Sequence, residues 1–118
     1  MSSFSAESSP IDLEQLQQIS GNDPEFEQEL LQLFVEDAIA QTEVLATAIA
    51  QQNGRDIEET AHHIKGSSAN VGAVSISQTA AQIEQIAYQQ DAAQQQSLLA
   101  TLKQALSEVR HYLDSLGG

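Results

Sequence analysis

The chain contains no cysteine and no tryptophan, and only 4 % of its residues are aromatic. Without cysteine there is no disulfide framework, no thiolate metal site and no cysteine nucleophile; this composition fits a reducing compartment, and a cytoplasmic location is expected. Basic residues are scarce as well, four against 17 acidic ones, for a net charge of −13. Nucleic acid is a poor partner for such a chain, because binding requires cations that neutralise phosphates. An anionic membrane surface is disfavoured for the same reason. No run approaches the roughly 20 apolar residues that span a bilayer. The opening segment, Met1 to Pro10, lacks a basic stretch followed by an apolar one, so no signal peptide is expected. Residues 1–10 read instead as a flexible, Ser-rich lead-in. Proline occurs only at Pro10 and Pro24, which leaves long segments free to be helical.

What is abundant points the same way. Ala, Gln, Leu and Glu dominate, and these are strong helix formers. The 118 residues, 41 % of them hydrophobic, suffice for one domain with a single modest core, filled by Leu, Ile, Val and Ala. A short helix is expected from about Asp12 to Ile19, with Leu13, Leu16 and Ile19 on one side, broken by Gly21-Asn22. Asp23 is then a helix cap and Pro24 the first helical residue. The second helix should extend to about Gln51, with Phe26, Leu30, Leu33, Val44 and Ala48 inward, and end at Asn53-Gly54. A third covers about Asp56 to Val71, with Ile57, Ala61, Ile64, Ser68 and Val71 inward. A fourth covers Val74 to Gln89 around Ile76, Ala80, Ile83 and Ala87. A fifth runs from Asp91 to Leu116 on a seam of Leu99, Leu102, Leu106, Val109, Leu113 and Leu116. The Gln-rich stretches, Gln89-Gln90 and Gln94-Gln95-Gln96, are expected on polar faces or in turns. The predicted fold is all-α, an antiparallel four-helix bundle with a short additional N-terminal helix, spanning residues 11–116.

The third helix carries the chemistry. With Ile57 at the centre of the buried stripe and about 100° per residue, Ala61, Ile64, Ser68 and Val71 fall within about 40° of that centre. His62 falls about 140° away, toward solvent. Lys65 at i+3 and Gly66 at i+4 are its surface neighbours. An exposed imidazole is a competent nucleophile near neutral pH. The adjacent ammonium suits a transferred anionic group. The bare glycine allows close approach, although a mid-helix Gly costs about 1 kcal/mol relative to Ala. Arg55 lies two turns earlier, about 10 Å along the axis. A solvent-facing His beside a Lys is usually an ordinary surface residue, so geometry alone leaves both readings open.

The run Ala61-His62-His63-Ile64-Lys65-Gly66-Ser67-Ser68, followed by Asn70-Val71-Gly72-Ala73, resembles the signature of the histidine-containing phosphotransfer (HPt) family. That signature is Ala-His-any-Leu/Ile-Lys-Gly-small-small, then a Gly ten residues after the His. The Gly21-Asn22-Asp23-Pro24 turn, Leu30 to Phe34, and the Ile83-Glu84 pair are also similar to the family pattern, so the likeness covers about residues 11–116. It implies a phosphoryl carrier rather than an enzyme. His62, through Nε2, would accept the group from a receiver-domain aspartyl phosphate, and a second receiver would take it. His63 falls at the variable position. Lys65, Gly66 and Ser67 would support the site; Ser67 either bonds the phosphoryl group or its Lys neighbour, or is simply a small residue for packing. No cofactor or metal is expected on this chain, since Mg²⁺ would sit on the receiver. The expected partners are receiver domains of response regulators or hybrid kinases, with the chain monomeric. Gly66 and Ala69 would leave the docking face flat, and Leu13, Leu16, Ile19, Leu31 and Val35 would either supply an apolar rim to it or simply pack the first helix onto the second. The strong negative charge serves partner choice or solubility.

Three other readings compete. Glu59-x-x-His62 and Glu108-x-x-His111, with Glu43 and Glu84, match the ligand order of di-iron carboxylate bundles. Yet His62 lies about 140° and His111 about 180° from the apolar seams, away from a bundle interior. An HPt-like domain of a larger histidine kinase is the second; nothing in the sequence resembles a nucleotide-binding loop. A bundle acting purely as an adaptor is the third, and the intact His62, Lys65 and Gly66 argue against it.

Overall fold

The computed structural model describes residues 10–117, so nearly all of the expected lead-in of residues 1–10 lies outside the described residues. Five helices follow one another: α1 (Leu13–Ser20), α2 (Pro24–Ala50), α3 (Gly54–Asn70), α4 (Val74–Gln85) and α5 (Ala92–Gly117). Helices α2, α3, α4 and α5 pack as a closed ring in that order, and α1 lies against α2. The long helices form the four-helix bundle anticipated from their patterning, with α1 as the additional helix.

Local chemistry sets the boundaries. Asp12 caps α1 by accepting from the Gln15 amide. Asp23 caps α2, its Oδ1 3.0 Å from the Glu25 amide and 3.3 Å from that of Phe26, with Pro24 in the first turn. An exposed cap of this kind contributes about 1 kcal/mol. Asp23→Ala is therefore expected to lower the unfolding free energy by about 1 kcal/mol, seen as a lower urea midpoint with an unchanged slope of the transition; an unchanged midpoint would show that the cap is replaced by water. The α2–α3 turn differs from expectation. Gln52, not Gly54, takes the left-handed conformation (φ 54°), and Asn53 caps α3 by accepting from the Asp56 amide at 3.1 Å. Gly54 is thus the first residue of α3 rather than the terminator of α2.

Gly72 closes α3 at φ 77°. A Cβ there would lie 2.9 Å from the Asp12 carbonyl oxygen, so both the backbone conformation and the close approach require glycine. The Asp12 amide donates to the Gly72 carbonyl at 2.7 Å, and the Gln15 side chain donates to the Ala69 carbonyl. These two bonds fasten α1 across the C-terminal end of α3.

The core is aliphatic, with Leu16, Leu31, Leu45, Ile49, Ile57, Ile64, Ile76, Ile83 and Leu102 essentially without solvent contact. The stripes expected for α3 and α4 are buried as anticipated, and so is the α5 seam from Leu99 to Val109; Leu113 is half-buried and Leu116 exposed. Helix α2 is rotated relative to expectation. Its inward residues are Leu31, Phe34, Val35, Ala38, Leu45 and Ile49, together with Ala48. Phe26, Leu33 and Val44, expected inside, are 41 %, 66 % and 50 % exposed. Helix α4 ends at Gln85, four residues early, although Ile86 and Ala87 stay buried in the turn. Gln95 is buried rather than on a polar face. Its amide donates to the Ile86 carbonyl at 3.2 Å and its oxygen accepts from Gln52 at 2.9 Å, which satisfies the groups that burial would otherwise leave unpaired. Among the described residues no helix is long and apolar enough to cross a membrane.

Candidate functional site

Burial of Ile57, Ala61, Ile64 and Ser68 against the bundle fixes the rotation of α3. That rotation turns His62 outward, its side chain 67 % exposed. Lys65 is half-buried one turn on, and Gly66 is exposed beside it. A Cβ on Gly66 would meet no heavy atom within 4 Å, so the surface next to the imidazole is open. Expectation and structure agree on this arrangement.

The residue that sequence reasoning left without a role at the site is Glu84. It stands on α4, facing α3, and its carboxylate bridges two groups. One oxygen lies 2.9 Å from His62 Nδ1 and the other 2.8 Å from Lys65 Nζ. The consequence is a defined imidazole. In neutral His62 the Nδ1–H donates to Glu84, its partner among the described residues, which leaves the Nε2 lone pair free and pointed away from that carboxylate. Glu84 also restrains rotation of the ring. The signal in the sequence that bears on this role is the Ile83-Glu84 pair, in which Ile83 sits in the core.

The Lys65 ammonium, through its hydrogen bond, holds the Glu84 carboxyl below its ordinary value of 4.5; burial opposes this and the bond to His62 adds to it. Because the folded-state value is depressed, the unfolded chain takes up this proton first on acidification. The stabilisation is therefore present above about pH 4.5 and is lost as pH falls through the lower folded-state value. Glu84 and Lys65 are both partly solvated, which limits the contribution to less than about 1 kcal/mol. Glu84→Gln should be less stable than wild type at pH 7, with the gap closing toward pH 3 in thermal melts. A gap independent of pH would mean that the bridge is energetically silent.

The remaining expected residues divide. Ser67 directs its hydroxyl to the Ile64 carbonyl at 3.3 Å, and the direct bond to Lys65 is not formed. The Lys65 carbonyl is instead engaged by Ser68, at 3.1 Å, and by Ser77 of α4, at 3.2 Å. His63 faces α2, with Nε2 2.9 Å from Asp37. Arg55 pairs with Glu59 at 3.0 Å, away from His62. Of the anticipated docking rim, Leu13, Ile19 and Ala69 are exposed. Leu16, Leu31 and Val35 are buried and form no rim. Leu16 occupies the centre of the α1–α2 contact, with Leu13 and Ile19 about 60° to either side; the rotation of α2 draws Leu31 and Val35 into the core. The di-metal arrangement does not assemble. Glu59 is engaged by Arg55, Glu43 and His111 are exposed, and among the described residues no three such side chains converge.

Comparison with known proteins agrees with this geometry. The Hpt domain family model matches residues 29–112, and the chain belongs to that family: it is a histidine phosphotransfer domain. The structure superposes on a histidine-containing phosphotransfer protein from rice with a TM-score of 0.83 and 27 % identity, covering 93 % of this chain and 81 % of that one. Histidine-containing phosphotransfer protein B (HptB) from Pseudomonas aeruginosa PAO1 gives a TM-score of 0.80 over 92 % of this chain and 94 % of that one. At 23 % identity that likeness speaks for the fold alone. No curated protein sequence matches the chain.

Proposed function

We propose that His62 receives a phosphoryl group at Nε2 from the aspartyl phosphate of one receiver domain and delivers it to the aspartate of another. The observation that carries this reading is the Glu84 bridge, which occupies Nδ1 and leaves Nε2 unpartnered on an exposed face of α3. In the first step the Nε2 lone pair attacks phosphorus, the P–N bond forms, and the P–O bond to the donor breaks, releasing its carboxylate. The imidazole becomes cationic and keeps its Nδ1 proton against Glu84, whose negative charge offsets the new positive one. In the second step the acceptor carboxylate attacks phosphorus, the P–N bond breaks, and neutral imidazole returns. Lys65 is the cation nearest the transferred group.

This chain's part is to position and orient a nucleophile. The metal and acidic cluster of the reaction belong to the receiver. The docking face consists of the bare surface at Gly66 and Ala69, bordered by Leu13 of α1, which the Gln15–Ala69 bond holds in place.

The test is transfer from a radiolabelled, phosphorylated receiver to the purified chain, followed by addition of a second, unphosphorylated receiver. Label should appear on the chain as an acid-labile, alkali-stable adduct and then pass to the second receiver. Label that never reaches the chain from a panel of receivers would count against the reading and leave an adaptor.

A further inference from the structure

On the side of the ring opposite α3 and α4, helices α2 and α5 leave a groove between them. Two adjoining hollows of about 490 and 260 Å³ lie in it and share Ile39 and Arg110. Val35 and Leu106 are buried in its floor, and Ile39 and Leu113 are half-buried. The two rims carry opposite charge. Glu36 and Glu43 stand on the α2 rim, and Lys103 and Arg110 on the α5 rim, all of them exposed. Within each pair the spacing is seven residues, about 10 Å along the axis. The helices are antiparallel, so Glu43 comes level with Lys103 in the smaller hollow and Glu36 with Arg110 in the larger.

The rims do not pair across the groove. The ion pairs among the described residues use Arg55, His62, His63 and Lys65. Glu36 accepts from Gln32 at 3.4 Å. Half of the four basic residues of a chain with net charge −13 thus stand opposite carboxylates without meeting them.

Such a pattern is complementary to itself in one orientation. A second copy turned by 180° about an axis along the groove lays its α5 rim over this copy's α2 rim at the same level. Glu36 then faces the other copy's Arg110, and Glu43 faces its Lys103. Two-fold symmetry makes each of these pairs twice. Asp114, one turn beyond Arg110, falls opposite the uncharged Gln32. A two-fold axis across the groove would instead set each glutamate row against its own counterpart, which like-charge repulsion disfavours.

We infer that the α2–α5 face is a self-association surface on which two copies of this chain meet with their helices aligned, each glutamate rim against the other copy's basic rim. The aliphatic floor supplies contact area and the rims fix the orientation. Two helix widths over the roughly 22 Å of groove give about 450 Å² from each copy, which corresponds to a weak, reversible dimer. His62 bridges to Glu84 of α4, so both imidazoles face away from the contact and stay accessible. The inference does not rest on phosphotransfer, and its readout is association alone.

Sedimentation equilibrium of the whole chain, from about 10 µM to about 1 mM, covers the range in which an interface of this size assembles. The weight-average mass of wild type should rise from 12.7 kDa toward twice that value. Glu36→Lys/Glu43→Lys should weaken association at least about tenfold, although it reduces the net negative charge of the chain. Lys103→Glu/Arg110→Glu should weaken it likewise. Mixing these two variants should restore a dimer at least as tight as that of wild type, because every facing pair is then of opposite sign. The four residues are exposed, and circular dichroism checks that each variant folds. A wild-type mass that stays monomeric throughout would overturn the proposal. Association that survives either charge reversal would overturn it in favour of another surface, and association strengthened by Glu36→Lys/Glu43→Lys alone would overturn it in favour of general charge repulsion.

Discussion

His62→Gln should abolish acquisition of label from a phosphorylated receiver, whereas His63→Gln should retain it at close to the wild-type rate. Glutamine is of similar length and keeps hydrogen-bonding capacity, but its amide nitrogen has no available lone pair and cannot attack phosphorus. The loss should therefore be complete within detection, with circular dichroism and melting temperature little changed, because the His62 side chain is 67 % exposed. His63 is the control that the structure makes informative. It is adjacent in sequence, yet its Nε2 is already bonded to Asp37 at 2.9 Å on the other side of α3. Label lost in both variants, or only in His63→Gln, would reassign the site.

The second large effect is expected at Gly66, where stability and activity should move in opposite directions. Gly66 is in a helix interior, and among the described residues a Cβ there meets no heavy atom within 4 Å beyond its own helix backbone. Gly66→Ala should therefore raise stability by about 0.5–1 kcal/mol, the usual helical advantage of alanine. Gly66→Leu should also fold. It would place a branched side chain one turn from His62, on the surface where a receiver must bring its aspartyl phosphate. Displacement of the reacting atoms by about 1 Å can cost about a hundredfold in rate, and a transfer loss of that order is expected for Gly66→Leu. Chemical denaturation and transfer kinetics on the same samples separate the two effects. A Gly66→Leu protein that transfers at the wild-type rate would remove Gly66 from the docking face.

The contrast between α3 and α2 shows which parts of the site could be read from the sequence. On α3 the apolar residues form one narrow stripe, and every other direction is polar, small or charged, so its rotation, the exposure of His62 and Gly66 and the placement of Lys65 beside them follow from periodicity alone. On α2 two stripes run side by side. Phe26-Leu30-Leu33-Val44 has cleaner spacing than Leu31-Phe34-Val35-Ala38-Leu45, and the bundle buries the second. Periodicity does not decide between two apolar faces; that depends on which volumes fit against α3 and α5. The same rotation explains why Leu31 and Val35 were expected in the docking rim and are in the core. Glu84 could not be assigned from its own helix, because its role depends on the register of α4 against α3. The likeness to the family's hydrophobic-acidic pair marks the residue, but not its contact with His62. At the α2–α3 turn the sequence points to Gly54, the commoner choice for a left-handed backbone, whereas Gln52, two residues earlier, adopts it.

In the proposed transfer, Glu84 holds the Nδ1–H tautomer and thereby presents Nε2 of His62 to the phosphoryl donor. Long-range ¹H–¹⁵N correlation of the histidine side chains, recorded before and after phosphorylation, tests it most directly. Before reaction, His62 should show protonated Nδ1 and unprotonated Nε2 at a pH where it is neutral. Afterwards, phosphorus coupling should appear on Nε2 of His62, with His63 and His111 unchanged. Phosphorus coupling on Nδ1 of His62, or on either other histidine, would overturn the assignment of Nε2 as the nucleophile.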